Sequence, residues 1–177
     1  MNKKLIEKAQ KIKLFITDVD GVLTDGSLIL GNNGEEFKSF NSQDGMGIKL
    51  LQKNNINVAI ITGRSSKIVK NRAEELAIKE VYQGIDDKIK IFNSLLEKFS
   101  LDNEEVSYIG DDLNDLPVLE KVGFSFSVNN GVERVKKKVD YVTEKSGGNG
   151  AVREAAELIL DIQNDHSGGE VFDKEGN

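Results

Sequence analysis

Two acidic clusters carry much of the chemistry available to this chain. The first, Asp18-Val19-Asp20-Gly21-Val22-Leu23-Thr24-Asp25, follows directly on an apolar run at 13–17. Carboxylates two residues apart leave an extended chain on the same side. Such a pair repels unless a cation or a shared proton relieves it. A hard cation such as Mg2+ does this well, because it takes oxygen ligands and keeps several waters. The second cluster, Gly110-Asp111-Asp112-Leu113-Asn114-Asp115, follows another apolar run at 106–109 and brings three more carboxylates that could complete a metal site. Alone it also reads as an acidic helix start, which the helix dipole favours. An EF-hand is excluded, since the Asp spacing and closing Glu of a calcium loop are missing. Between the clusters lie Thr62-Gly63-Arg64, closing the run at 57–61, and Lys88, opening an amphipathic stretch. A hydroxyl and an ammonium are what a phosphoryl oxygen needs from its surroundings. Singly, such a Thr is a turn residue and such a Lys a solvated one. Their order along the chain gives them weight, because each follows at a strand end in one consistent direction.

These residues need a scaffold that delivers them to one edge. The runs at 13–17, 57–61 and 106–109 read as buried strands, and 80–83, 124–128 and 141–143 as shorter ones. Helical spacing marks 47–53, 65–77 with Ser65 or Ser66 as N-cap, 113–121 despite Pro117, and 151–162. The stretch 86–99 is amphipathic, with Ile89, Phe92, Leu95, Leu96 and Phe99 on one stripe. Gly31-Asn32-Asn33-Gly34 is a strong turn signal between 27–30 and 35–40, so about 27–40 is expected to be a β-hairpin. Strand and helix in alternation predict an α/β layered domain with a mostly parallel sheet. Ligands of such sheets bind beyond the carboxyl ends of the strands. A single domain is expected over 1–162, with a flexible tail over 163–177.

Composition narrows the classes. The 177 residues suffice for one domain with a real core. There is no cysteine, which removes disulfides, a cysteine nucleophile and thiolate metal sites. The one histidine, His166, lies in polar sequence near the end, leaving little support for a multi-His metal centre or a Ser-His-Asp triad. A formal charge of −6 disfavours broad nucleic-acid binding. No apolar run reaches the roughly 18–20 residues of a membrane span. The opening MNKKLIEKAQK has no apolar stretch behind its lysines and does not read as a secretory signal, so the cytoplasm is the expected compartment.

With these motifs in place, the chain resembles the haloacid dehalogenase superfamily of phosphotransferases, whose four motifs fall on Asp18/Asp20, Thr62, Lys88 and Asp111/Asp112. Within it the chain is similar to the phosphatases of 3-deoxy-D-manno-octulosonate 8-phosphate (KDO 8-phosphate). The segments DVDGVLTDGSL, KSFNSQDGMGIKLL, AIITGRSSKIVKNR, VYQGIDDK, YIGDDLNDLPVL and DYVTEKSGGNGAVREAAELIL carry that similarity. The resemblance implies a Rossmann-like haloacid dehalogenase fold, with a mostly parallel central sheet, helices on both faces and a small β-hairpin instead of a cap domain. It implies a Mg2+-dependent phosphomonoesterase of lipopolysaccharide precursor biosynthesis that forms KDO and inorganic phosphate through an aspartyl-phosphate. By that resemblance Asp18 is the nucleophile, while Asp20 protonates the departing hydroxyl and then activates water. Thr62 and Lys88 would hold the phosphoryl oxygens. Mg2+ would lie between Asp18, the main-chain carbonyl of Asp20 and Asp111, with Asp112 and Asp115 close behind. A carboxylate approaches a phosphate dianion only when cations screen the repulsion, so this set is physically consistent.

The family's contacts to its phosphosugar acid would fall on Asp20, Asn41, Ser42, Gln43, Asp44, Gly45, Lys49, Arg64, Arg72 and Lys88. Lys49 stands where an arginine is expected. The lack of a cap leaves the cleft open. The family answers this with homotetramers whose neighbouring subunits roof each active site, and the tail at 163–177 would then reach over a neighbour. Four other readings compete. A phosphatase of nonulosonate 9-phosphates would carry Glu where Arg64 stands and Lys where Glu75 stands, the opposite charges. A non-catalytic phosphosugar-binding or assembly domain would not need the intact motif set. A receiver domain places its phosphorylated Asp after the third strand, which the Asp-x-Asp spacing does not fit. A dinucleotide-binding domain would need a Gly-x-Gly-x-x-Gly after the first strand.

Overall fold

Period-two alternation divides each central apolar run between two cores. The computed structural model describes residues 3–32 and 36–167. The chain starts with α1 (Lys3–Ala9) and β1 (Leu14–Thr17), followed by a two-stranded hairpin of β2 (Ile29–Leu30) and β3 (Glu36–Phe37). Then come α2 (Ser42–Lys53), β4 (Asn57–Ile61), α3 (Lys67–Glu75), β5 (Glu80–Tyr82) and α4 (Lys88–Phe99). The last part holds β6 (Val106–Gly110), α5 (Leu116–Leu119), β7 (Phe124–Ser127), α6 (Glu133–Lys136), β8 (Tyr141–Val142) and α7 (Ala151–Ser167).

Six strands form one sheet in the order β5-β4-β1-β6-β7-β8. Every pairing in it is parallel, so the expected mostly parallel sheet is wholly parallel. Phe15, Val58, Ile60 and Ile109 point to one face, where they meet Val69 of α3, Ile48 and Leu51 of α2, and Ala155 and Ile159 of α7. Leu14, Ile16, Ala59, Ile61, Val106 and Tyr108 point to the other, against Phe92 and Leu95 of α4 and Val118 and Leu119 of α5. Both faces are thus covered, as parallel sheets require. Thr17 stands in register with Ile60 and Ile109, so the three central strands finish level and the loops that follow share one edge.

Several boundaries differ from expectation for identifiable reasons. α2 begins at Ser42, five residues earlier than its pattern suggested, because Asn41 caps it through a 2.7 Å bond from the Gln43 amide. Gly45 and Gly47 weaken the helical signal there. Gly47 is needed for packing, since a Cβ would lie 2.8 Å from the Arg153 Cα of α7. The stretch 113–121 divides into a 3-10 turn, Leu113–Asp115, and the short α5 with Pro117 in its first turn. α7 continues past 162 to Ser167, so the tail does not begin at Gln163. Gln163 Nε2 donates instead to the carbonyls of Ala9 and Ile12, at 2.9 and 3.0 Å. Residues 168–177 lie outside the described residues, as do Asn33, Gly34 and Glu35 of the hairpin turn. The hairpin pairs Ile29 with Phe37 and Leu30 with Glu36. No described helix is long and apolar enough to cross a membrane.

Candidate active site

The level strand ends gather the acidic clusters. Asp18 follows β1 directly, is buried, and accepts the Val19 amide at 2.6 Å through Oδ1. Its Oδ2 receives Lys88 Nζ at 2.6 Å. Lys88 opens α4 and folds back into the sheet edge, leaving its side chain only 1% exposed. The same ammonium reaches Asp115 Oδ1 at 2.7 Å. Asp111 follows β6, and carboxylate oxygens of Asp18, Asp111 and Asp115 all lie within 4.8 Å of one another. Gly21 brings the two loops together: it sits at φ +87°, and a Cβ there would lie 2.1 Å from Asp111 Oδ2. Only glycine meets both demands, a left-handed backbone and a carboxylate in van der Waals contact.

Asp115 does a different job from the other two acids. Oδ1 accepts Lys88 and, at 2.6 Å, the Tyr108 hydroxyl, while Oδ2 accepts the amides of Asp111 and Asp112 at 3.0 and 3.2 Å. Four donors occupy its lone pairs. Asp115 therefore orients Lys88 and the Asp111 loop, and leaves Asp18 and Asp111 as the carboxylates free to hold a cation. Asp112 is exposed and accepts the Leu113 amide at 2.6 Å, capping the 3-10 turn.

The electrostatics of this group are those of a site waiting for positive charge. Burial, followed by the charge of Asp115, pushes the Asp18 carboxyl up to about 6. Burial and then the charges of Asp115 and Asp18 push Asp111 up to about 7. Burial opposes the charge on Lys88, but Asp18 and Asp115 outweigh it and hold the ammonium above its ordinary range. Buried Tyr108 stays protonated well above its usual range.

A second group of charges lies at the hairpin side. Asp20 Oδ1 accepts Lys38 Nζ, and its Oδ2 is 3.9 Å from Arg64 Nε. Glu36 Oε1 stands 3.2 Å from Lys38 Nζ and 3.5 Å from Arg64 Nη2. Thr62 is buried at the end of β4, its amide bonded to the Tyr82 carbonyl at 2.9 Å.

The expected sugar contacts are spread over α2 and α3. Asn41 and Ser42 open α2, Gln43 and Lys49 are exposed on it, and Arg72 lies on α3. Arg72 Nη1 bonds Glu75 at 2.8 Å and Nη2 donates to the Asn41 carbonyl at 3.3 Å, with the guanidinium over the Phe40 ring at 5.7 Å. Gly45 makes room for it, since a Cβ would lie 2.5 Å from Arg72 Nη2. Asp44 is buried, and its carboxylate accepts the amides of Gly150 and Arg153 at 3.2 and 2.9 Å, capping α7. Both of its oxygens accept backbone amides. Sequence reasoning missed Tyr108, Glu36 and Lys38. Tyr108 reads as a core aromatic within an apolar strand. The Glu36-Phe37-Lys38 alternation, two charges flanking an aromatic, was the available signal for the other pair.

The comparisons with known proteins agree with this geometry. A haloacid dehalogenase-like hydrolase family model matches residues 80–154. The chain is 50% identical over 156 residues, 88% of its length and 83% of the relative's, to the 3-deoxy-D-manno-octulosonate 8-phosphate phosphatase of Salmonella typhi. It superposes at a TM-score of 0.91, with 45% identity, on the corresponding phosphatase of Yersinia pestis, covering 95% of this chain and 91% of that one. It superposes equally well, at a TM-score of 0.91 with 46% identity and 95% and 97% coverage, on the Moraxella catarrhalis enzyme in complex with magnesium, phosphate and KDO. Close to half of the residues are shared with these relatives over nearly the whole chain. The chain belongs to the 3-deoxy-D-manno-octulosonate 8-phosphate phosphatase family of haloacid dehalogenase-like hydrolases.

Proposed function

We propose that this chain is a Mg2+-dependent phosphomonoesterase that hydrolyses KDO 8-phosphate to KDO and inorganic phosphate. The observation that carries the reading is Asp18, a buried carboxylate at a parallel-sheet edge, paired with Lys88 and close to Asp111. The Moraxella relative with magnesium, phosphate and KDO supports the choice of metal and product. Buried hard oxygen donors suit Mg2+, and Asp18, Asp111 and the main-chain carbonyl of Asp20 would hold it. When bound, it offsets the repulsion between a carboxylate and a phosphate dianion.

The chain's own residues supply the steps. Asp18 forms a bond to phosphorus as the bond from phosphorus to the sugar oxygen breaks. Asp20 gives that oxygen its proton, and KDO leaves. Asp20, now a base, takes a proton from water whose oxygen attacks the aspartyl-phosphate, freeing phosphate and restoring Asp18. Lys88 and Thr62 hold the phosphoryl oxygens through both steps. Arg64 carries the charge that suits the sugar carboxylate, and with Glu75 it argues for KDO 8-phosphate over a nonulosonate 9-phosphate.

The reading extends to a cytoplasmic enzyme of lipopolysaccharide precursor synthesis that works as a homotetramer, its active sites at subunit interfaces. Leu28, Ile29, Leu30 and Phe37 support that assembly, since they leave an apolar hairpin half or more exposed. The deciding experiment is phosphate release from a panel of phosphosugars with Mg2+ and with chelator. KDO 8-phosphate should lead the panel, and Asp18→Asn should keep less than about 1% of turnover. Full activity in chelator, or in the variant, would overturn the reading.

A further inference from the structure

Glu36 and Lys38 occupy alternate positions at the root of the hairpin and turn inward, while Phe37 between them is 60% exposed. Lysine is almost never fully buried unless paired. The side chain of Lys38 is 1% exposed, and its partner is Asp20, whose Oδ1 it takes. Glu36 completes the arrangement from behind: Oε1 is buried, bonds nothing itself, and stands 3.2 Å from the Lys38 ammonium. Arg64 Nη2 stands 3.5 Å from the same Oε1, so this carboxylate ties the hairpin to the loop after β4.

We propose that Lys38 is a positioning residue for Asp20, with Glu36 setting Lys38. By holding Oδ1, Lys38 leaves Oδ2 as the oxygen that passes its proton to the sugar oxygen while the bond to phosphorus breaks and Asp18 bonds to phosphorus. The hairpin then does more than shelter the cleft. It fixes the acid that a poor leaving group needs. The inference rests on the role given to Asp20 above, and the test separates the two.

Two substrates differ in their need for that proton. A sugar alkoxide must be protonated as it leaves, whereas p-nitrophenolate leaves without help. The ratio kcat/KM reports steps only through aspartyl-phosphate formation, so later hydrolysis does not blur the comparison. General acid catalysis contributes about 100- to 10,000-fold, so Lys38→Met should lose roughly 30- to 300-fold in kcat/KM on KDO 8-phosphate. That loss should be at least about ten times its loss on p-nitrophenyl phosphate, fall on kcat rather than KM, and be partly restored in Lys38→Arg. Equal losses on both substrates, or a loss confined to KM, would overturn the proposal. Asp20→Asn runs alongside. If it shows the substrate bias and Lys38→Met does not, the positioning role fails alone; if Asp20→Asn shows none, the reading of Asp20 fails with it. Should Lys38→Met not fold, Glu36→Gln decides, because the same bias at smaller size is expected and its absence refutes the relay.

Discussion

Replacing Asp115 with Asn tests how the site is held together. The carboxylate is fully buried and accepts from Lys88, Tyr108 and the amides of Asp111 and Asp112. An Asn side chain has one acceptor oxygen, which can serve one of these pairs of donors. Its NH2 would then face the other pair, and Lys88 would lose one of its two carboxylate partners. Breaking a buried pair of this kind costs about 3–5 kcal/mol. For a chain of this size that is a fall in Tm of about 6–20 °C. With Lys88 proposed as a donor to the phosphoryl oxygens, misplacing it should cost about 100- to 1,000-fold in kcat. The variant has a further signature. After burial, the charge of Asp115 is the largest influence raising both Asp18 and Asp111. Without it both carboxyls fall toward their ordinary range, so the acid limb of Mg2+ activation should move to lower pH. Calorimetry in chelator gives the first quantity, and Mg2+ titrations of kcat between about pH 5 and 8 give the others. A variant with wild-type Tm and an unmoved acid limb would refute the account of Asp115 as the residue that sets Lys88 and raises its neighbours.

The same raised carboxyls make the metal-free protein respond to pH in an uncommon direction. Asp18 rises from 3.8 to about 6 and Asp111 from 3.8 to about 7, so their stabilising share is complete below pH 3.8 and lost as pH climbs through those values. Melts in chelator should show that loss between about pH 4 and 7, saturating Mg2+ should reverse it, and Mg2+ affinity should weaken as pH falls through the same window. Melting curves in chelator that stabilise steadily through that range would contradict the assignment. Arg64→Glu places a negative charge where the sugar carboxylate is expected, at a cost of about 2–4 kcal/mol, or roughly 30- to 1,000-fold on KDO 8-phosphate. The loss on p-nitrophenyl phosphate should be much smaller, and equal losses would move Arg64 to the phosphoryl site or to the fold.

Sequence reading succeeded where local signals and tertiary demand coincide. The runs that became β1, β4 and β6 are apolar because parallel strands are buried on both faces, and polar loops follow them at the ligand edge, acidic after β1 and β6 and Thr62-Gly63-Arg64 after β4. It fell short where one residue serves two levels. Gly45 and Gly47 sit inside α2, low in helix propensity, yet one admits Arg72 and the other the backbone of α7. Asp44 has the type and place of a ligand contact, and only the fold reveals that its carboxylate caps α7 from more than a hundred residues away. Lys38 belongs to an exposed hairpin, and the local alternation hints that it turns inward without naming Asp20 as the partner of its ammonium. Those three cases share a cause: the partner is distant in sequence.

Charge explains why the distant partners are what they are. Asp18, Asp111 and Asp115 bring three carboxylates to one place at the sheet edge, and Lys88 is the cation that pairs with Asp18 and Asp115. Asp18 and Asp115 are buried, so the excess negative charge must be met by protons or by a divalent cation. The upward shifts of Asp18 and Asp111 are the proton solution, and a cation bound by the same two carboxylates is the competing one. Asp115 is held by four hydrogen bonds, one of them from the Lys88 ammonium. The outer group is arranged on a different principle: Asp20 and Glu36 alternate with Lys38 and Arg64, two acids against two bases. A phosphosugar acid brings negative charge at both ends. On the proposed reading the inner group, with a cation bound, would receive the phosphate and Arg64 would exchange Glu36 for the carboxylate, while Lys38 would keep Asp20 at the junction where the bond is cut.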